Sequence, residues 1–365
     1  MYVLAYDISL RRKRFSKGRV NTMISTKTRS LDLAGSMKAV VRDRYGSTDV
    51  LQLEEVARPV VNDGEVLVRV HAAGVDRGVW HVMAGQPYLI RIAGYGLRAP
   101  KNPALGMDLA GIVAAVGTNV TRFQAGDEVF GVGTGSFAEY ATARDDKLAL
   151  KPQNLTFEQA AAVGVSGSTA LQAVRDHGRV EPGQEVLIIG ASGGVGTFAV
   201  QIAKAFGARV TGVCSTAKVN MVRSIGADHV IDYSRENFAE ADQRYDLILD
   251  IGGNSSVASL RRVLTPKGTL VIVGGEGGGR WFGGIDRQLR AMTLSPWVGQ
   301  KLGTFIGTQN HEDLDTLKEL IESGRLSPVV DRTYSLSEVP EAIRYLEKGQ
   351  VKGKVVITVP AAATD

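Results

Sequence analysis

The chain of 365 residues has one cysteine, Cys214, which excludes an intramolecular disulfide framework and every multi-cysteine zinc centre. It has no apolar run approaching the ~20 residues that cross a bilayer, so no membrane partner is expected. Proline is sparse: 11 prolines against 43 glycines suit a turn-rich α/β enzyme and exclude a collagen-like or low-complexity chain. Positive charge is missing where a nucleic-acid binder would need it. The net charge is +5, yet residues 1–36 carry eight Lys or Arg against two acids, so everything after them sums to −1. A body so near neutrality offers no polyanion-binding surface, and no nucleic-acid partner is expected. What remains is length enough for two domains with their own cores. The basic leader, with Arg11 to Arg14 set among Ser and Thr, has two readings. One is an appended or disordered extension ahead of Met37, which goes with a cytoplasmic protein; the other is an organellar targeting segment.

The most informative stretch runs from Glu185 to Lys204. Glu185 to Ile189 is a short apolar run of the kind a parallel strand needs when both faces are covered. Gly190, Ser192, Gly193, Gly194, Val195 and Gly196 then form a turn whose glycines let backbone approach a pyrophosphate. The helix that follows aims its unpaired amides and positive dipole end at that anion. Apolar Val195, Phe198, Ala199, Ile202 and Ala203 recur at helical spacing, and a second strand at Ala208–Cys214 completes a βαβ unit.

The end of that second strand selects between dinucleotides. NAD sites usually place an acid about 20 residues past the glycines, whereas a 2′-phosphate needs donors or cations instead. Here Ser215, Thr216 and Lys218 follow Cys214 with no acid among them, which predicts NADPH. An alternative use for Ser215 and Thr216 is to cap the helix that Lys218 begins.

Before this unit, short strands at Met37–Val41, Leu51–Glu55, Glu65–His71, Ile112–Val116 and Glu128–Val132 are divided by Gly, Pro and Asp, which predicts a compact β-barrel. After it, strands are expected at Asp228–Tyr233, Tyr245–Asp250, Gly268–Gly274 and Lys301–Gly307, and helices at Asp313–Ser323 and Val339–Glu347. Trp80, Tyr88 and Tyr95 are candidates to line a planar apolar substrate slot, or to pack a loop. Asp76 reads either as a polar site residue or as an N-cap acid before Trp80.

Several spaced motifs then coincide: Gly106-x-Asp108-x-x-Gly111, Phe123-x-x-Gly-Asp-x-Val129, Gly135 to Tyr140, the turn at Ala191–Gly196, Gly226 to Tyr233, Gly268 to Gly274 and Gly353 to Ile357. In that order the chain resembles the medium-chain dehydrogenase/reductase superfamily, and within it the zinc-independent quinone oxidoreductase branch, from Met37 to Val359. The resemblance implies an α/β fold: a GroES-like β-barrel domain over residues 37–160, a doubly wound Rossmann domain binding NADPH over 161–310, and a return to the first domain over 311–365. Asp76 and Met107 stand where the zinc branch has ligands, and Asp with Met makes a poor tetrahedral zinc set, so no metal is expected. Asp76, Asp108 and His71 or His81 could still in principle gather around one.

By the same resemblance, Asp76 holds a ribose hydroxyl and Thr169 lies near the nicotinamide. Tyr233 faces the adenosine phosphate, Gly274 begins a loop through Gly279 that covers the nicotinamide, and Phe305 presents backbone to the carboxamide. Lys354 is a phosphate or amide contact, or solvated surface. The implied activity is hydride transfer from NADPH to a quinone or α,β-unsaturated carbonyl, by a homodimer paired through the Rossmann sheet edge. A zinc-less enoyl-thioester reductase and an NADPH-binding sensor or scaffold are the alternatives.

Overall fold

The computed structural model describes residues 35–240, 242–274 and 279–360. The chain first forms a pair of antiparallel strands, β1 (Ser36–Val41) and β2 (Gln52–Ala57). A longer strand, β3 (Glu65–Val75), runs into the helix α1 (Arg77–Ala84). Strands β4 (Asp108–Val116), β5 (Glu128–Val132), β6 (Tyr140–Arg144) and β7 (Leu148–Leu150) follow, then two helices, α2 (Phe157–Ala161) and α3 (Gly164–Gln172).

From there the period changes from two to that of alternating strands and helices. β8 (Glu185–Ile189), α4 (Gly194–Ala205), β9 (Arg209–Cys214), α5 (Val219–Ser224), β10 (His229–Asp232) and β11 (Tyr245–Asp250) come first. They are followed by α6 (Val257–Arg262), β12 (Leu264–Ile272), α7 (Gly279–Phe282), α8 (Ile285–Leu294) and β13 (Lys301–Thr304). The chain then returns through α9 (His311–Glu322), β14 (Val330–Ser335), α10 (Val339–Glu347) and β15 (Lys354–Thr358).

Two large sheets result. One has seven strands in the order β14-β15-β3-β4-β5-β7, with β6 also pairing β3, and is antiparallel except for the β14–β15 pair. Its covered face is packed by Val66, Val68, Val113, Val129, Phe137 and Ile357, all buried. The other is a six-stranded parallel sheet in the order β10-β9-β8-β11-β12-β13. Counted from β8, that is 3-2-1-4-5-6, the doubly wound order whose reversal between β8 and β11 opens a crevice at the carboxyl ends.

The helix α3 is buried along its whole length because it is made of small residues and sits between neighbours on every side. It packs against α4 and α9, and α9 in turn lies on β7. Elements from both sheets therefore share one core.

The expected strand at Lys301–Gly307 stops at Thr304, and the one at Gly268–Gly274 begins earlier, at Leu264, and ends at Ile272. β6, β7 and β14 lack a clear apolar signal because they are short or only half covered; β14 reads Val-Asp-Arg-Thr-Tyr-Ser and has no fully buried residue.

Candidate active site

The reversal point holds a cleft of about 560 Å³ between the two sheets. β8 ends at Ile189, and Gly190 turns the chain with a φ of 86°, in the left-handed region. A Cβ on Gly196 would lie 2.1 Å from the Gly190 carbonyl oxygen, so the helix can pack this closely on the strand only with glycine there. The N-cap of α4 is Gly193, which brings no side-chain acceptor, so the first amides of the helix are left for a ligand in the cleft. Ser192, Gly193, Gly194 and Val195 all line it.

At the β9 end, Ser215, Lys218 and Tyr233 line the cleft. Ser215 makes no cap hydrogen bond, so the capping alternative is not realised and its hydroxyl stays available. Thr216 is turned aside: its hydroxyl donates to Asp232, a bond that holds that carboxyl below the usual range. Asp232 comes from the neighbouring strand, so an acid approaches this end that the local reading after Cys214 did not show. Lys218 donates to the carbonyls of Gly349 and Val351 at 2.8 Å each, tying the parallel-sheet lobe to the loop before β15. Burial lowers the pKa of its ammonium. Tyr233 is 63% exposed at the end of β10.

At the α1 end the site is built from buried charge. Asp76 is the N-cap of α1, and its Oδ1 accepts from the Val79 amide at 3.1 Å. Its Oδ2 is buried without a hydrogen-bond partner. Lys354 is 1% exposed, which overturns the solvated-surface reading. Its ammonium donates to Asp108 Oδ2 at 2.9 Å and to Ser166 Oγ at 3.3 Å, and lies 3.8 Å from Asp76 Oδ2. Asp108 Oδ1 accepts from the Val165 amide at 2.7 Å, so both partners reach from the antiparallel sheet to α3. Burial pushes Asp108 up to about 6, against the pull of Lys354. Burial works against the Lys354 charge as well, but Asp108 and Asp76 outweigh it and hold its pKa above the ordinary lysine value.

Asp76 and Asp108 thus converge on an ammonium. His71 instead stacks on Phe157, and His81 Nδ1 bonds the Gln86 carbonyl. Among the described residues no three His, Cys, Asp or Glu side chains come together as a ligand set.

Several expected site residues lie elsewhere. The Trp80 indole donates to Glu347 on α10, so it is turned away from the cleft and does not line it. Tyr88 packs edge-on against Trp281 and under Arg91, and the Tyr95 carbonyl accepts from the Tyr45 hydroxyl; these are the loop-packing roles. Thr169 is fully buried, and its hydroxyl is spent on the Val165 carbonyl one turn earlier in α3. Phe305 follows β13 and stacks on His177 at 4.2 Å. Gly274 does line the cleft, while residues 275–278 of its expected covering loop lie outside the described residues. Sequence reading missed Ser166 and the pairing of Asp250 with Arg287. No spacing rule announces either one, because the partners are 188 and 37 residues apart in the chain.

Comparison with known proteins bears on this geometry. Residues 62–153 match the family profile described as "Alcohol dehydrogenase GroES-like domain", and residues 225–357 match "Zinc-binding dehydrogenase". A 2-methylene-furan-3-one reductase of Solanum lycopersicum is 33% identical, over 90% of this chain and 80% of its own length. A mitochondrial NAD(P)H oxidoreductase of Mus musculus is 32% identical, over 88% and 89%. The solved quinone oxidoreductase of Coxiella burnetii superposes with a TM-score of 0.79 at 28% identity, covering 89% of this chain and 100% of that one. The chain belongs to the medium-chain dehydrogenase/reductase superfamily, as a quinone oxidoreductase-like member with a GroES-like and a Rossmann-like domain.

Proposed function

We propose that the protein is an NADPH-dependent reductase of quinones or α,β-unsaturated carbonyls that works without zinc. The observation that carries this reading is the uncapped N-terminus of α4, opening without a Cβ at Gly193 or Gly194 onto the cleft between the lobes. That backbone suits a pyrophosphate. Ser215 and Lys218 are the donors on offer for a 2′-phosphate, with Tyr233 beside the adenosine. Asp76 Oδ2, buried and without a hydrogen bond, is the acceptor on offer for a ribose hydroxyl. When bound, NADPH supplies the hydride. The chain's own contribution is to hold the coenzyme and the acceptor in line, since conjugation already makes the acceptor carbon electrophilic.

The zinc-independent form of the reading is supported by the donor set. Between Asp76 and Asp108 stands the Lys354 ammonium, while His71 stacks on Phe157 and His81 Nδ1 bonds the Gln86 carbonyl. The names of one relative, a 2-methylene-furan-3-one reductase, and of the solved quinone oxidoreductase support that acceptor class. A homodimer paired along β13 belongs to the same proposal, because β13 is the edge of the parallel sheet and pairs only with β12 among the described residues. So does a cytoplasmic location, with organellar import of the basic leader as the alternative; no described helix is long and apolar enough to cross a membrane.

The test is NADPH oxidation followed with a panel of quinones and enals in the presence and absence of a chelator. Acceptor-dependent, saturable turnover unaffected by chelation is expected. Tight NADPH binding with no turnover of any acceptor, or loss of turnover on chelation that zinc restores, would contradict the reading.

A further inference from the structure

At the α1 end of the cleft, three observations link Lys354 to Asp76 and to the glycine turn. Lys354 is almost fully buried and is held from three elements: Asp108 on β4, Ser166 on α3, and Asp76 at the start of α1. Asp76 has two unlike oxygens: Oδ1 is engaged by the Val79 amide, whereas Oδ2 is buried with no hydrogen-bond partner. The Lys354 stem lies directly beneath the glycine turn. A Cβ on Gly194 would sit 3.1 Å from Lys354 Cδ and 3.1 Å from Ser166 Oγ, and the adjacent Gly353 amide donates to the Ser192 carbonyl at 2.9 Å.

These facts bear on one another. A buried carboxylate oxygen without a donor carries a desolvation cost that a ligand hydroxyl can relieve. Lys354 does not relieve it: 3.8 Å is close enough for charge to act but too long for a hydrogen bond. Its nearer contacts, Asp108 and Ser166, engage two of its three donors. The ammonium therefore stands beside Asp76 Oδ2 while leaving that oxygen open to a hydrogen-bond donor.

We propose that Lys354 is a positioning residue, acting through Asp76: fixed by Asp108 and Ser166, its ammonium holds Asp76 in place with Oδ2 left as an open acceptor for a ribose hydroxyl of the coenzyme. This rests on the proposed coenzyme and deepens it by assigning the group that prepares the acceptor. It also couples the two lobes, since the lysine that sets Asp76 is the one that supports the pyrophosphate turn.

The test is a double-mutant cycle on the NADPH dissociation constant, read by titration of coenzyme fluorescence, in Asp76→Asn, in Asp108→Asn/Lys354→Met, and in the three changes combined. Lys354→Met alone would strand the Asp108 carboxylate, so the neutral pair is the working variant, with thermal unfolding to verify that it is folded. Asp76→Asn and the neutral pair are each expected to weaken NADPH by ~10-fold, and the combination by no more than ~3-fold beyond either, because all remove one contact. The acceptor KM should stay within ~2-fold of the parent. Unchanged NADPH affinity in the neutral pair, or an additive loss of ~100-fold in the combination, would overturn the proposal. If the neutral pair does not fold, Lys354→Arg takes its place: it keeps the charge but moves it, and its effect should vanish in an Asp76→Asn background. Wild-type protein that binds no NADPH would sink the coenzyme reading and this proposal together, an outcome distinct from normal binding that is indifferent to Lys354.

Discussion

The two ends of the cleft are built by opposite means. At the β9 end the groups are half-exposed and neutral or lightly held: a free Ser215 hydroxyl, Lys218 on two backbone carbonyls, and Tyr233 largely in solvent. At the α1 end they are buried and charged, with Lys354 and Asp108 at 1% and 0% exposure and Asp76 beside them. Charge in water is cheap to rearrange and worth little, whereas charge out of water must be matched or it disrupts the fold. On the proposed function, the first end would discriminate between coenzymes that differ by one phosphate, and the second would hold fixed geometry beside the reacting groups.

The largest effect that would sharpen this contrast is on stability. Lys354→Met leaves the Asp108 carboxylate buried without its cation and should destabilise the fold by ~3–5 kcal/mol in chemical denaturation, with Asp108→Asn restoring most of the loss. A change within ~1 kcal/mol would show that water reaches this pair and that the two ends do not differ in kind.

At the other end the fold should tolerate substitution while coenzyme choice does not. Lys218→Met is expected to raise the NADPH KM by ~10-fold and the NADH KM by less than ~3-fold, since it would remove the proposed charge-assisted phosphate contact. Equal losses with both coenzymes would mean that Lys218 only ties the lobes together through Gly349 and Val351.

The smallest effect concerns an ion pair at the far side of the parallel sheet. Lys204 and Asp228 lie 2.8 Å apart with side chains about one third exposed. Burial opposes ionisation of Asp228, but Lys204 and the Val210 amide outweigh it and hold its pKa below the ordinary 3.8. A carboxyl depressed in the fold contributes stability above its unfolded pKa and loses it as pH falls through the folded one. Asp228→Asn should therefore cost ~1 kcal/mol or less near neutral pH, and the gap from the parent should close in the acid range. A gap that persists at the lowest pH would assign the effect to packing.

Much of this was legible in the chain. Glu185–Ile189, Tyr245–Asp250 and Val339–Glu347 form their expected elements to the residue, because their apolar spacing is uninterrupted and turn residues bound them. The glycine turn was legible for the same reason. The aromatic slot was not: Trp80 has the right composition for it, but its indole N–H finds Glu347, 267 residues away in the chain, and no local pattern shows that partner. The charge cluster was half legible. Asp76, Asp108 and Lys354 each stood out as a motif residue, yet nothing in the spacing tells that a lysine from the last strand fills the space between two carboxylates from the first domain.

The measurement that bears most directly on the account is a structure of the protein with NADPH. The account predicts the pyrophosphate on the first amides of α4, the 2′-phosphate against Ser215 and Lys218, and a ribose hydroxyl on Asp76 Oδ2. A coenzyme seated elsewhere, or an empty cleft at saturating NADPH, would contradict it.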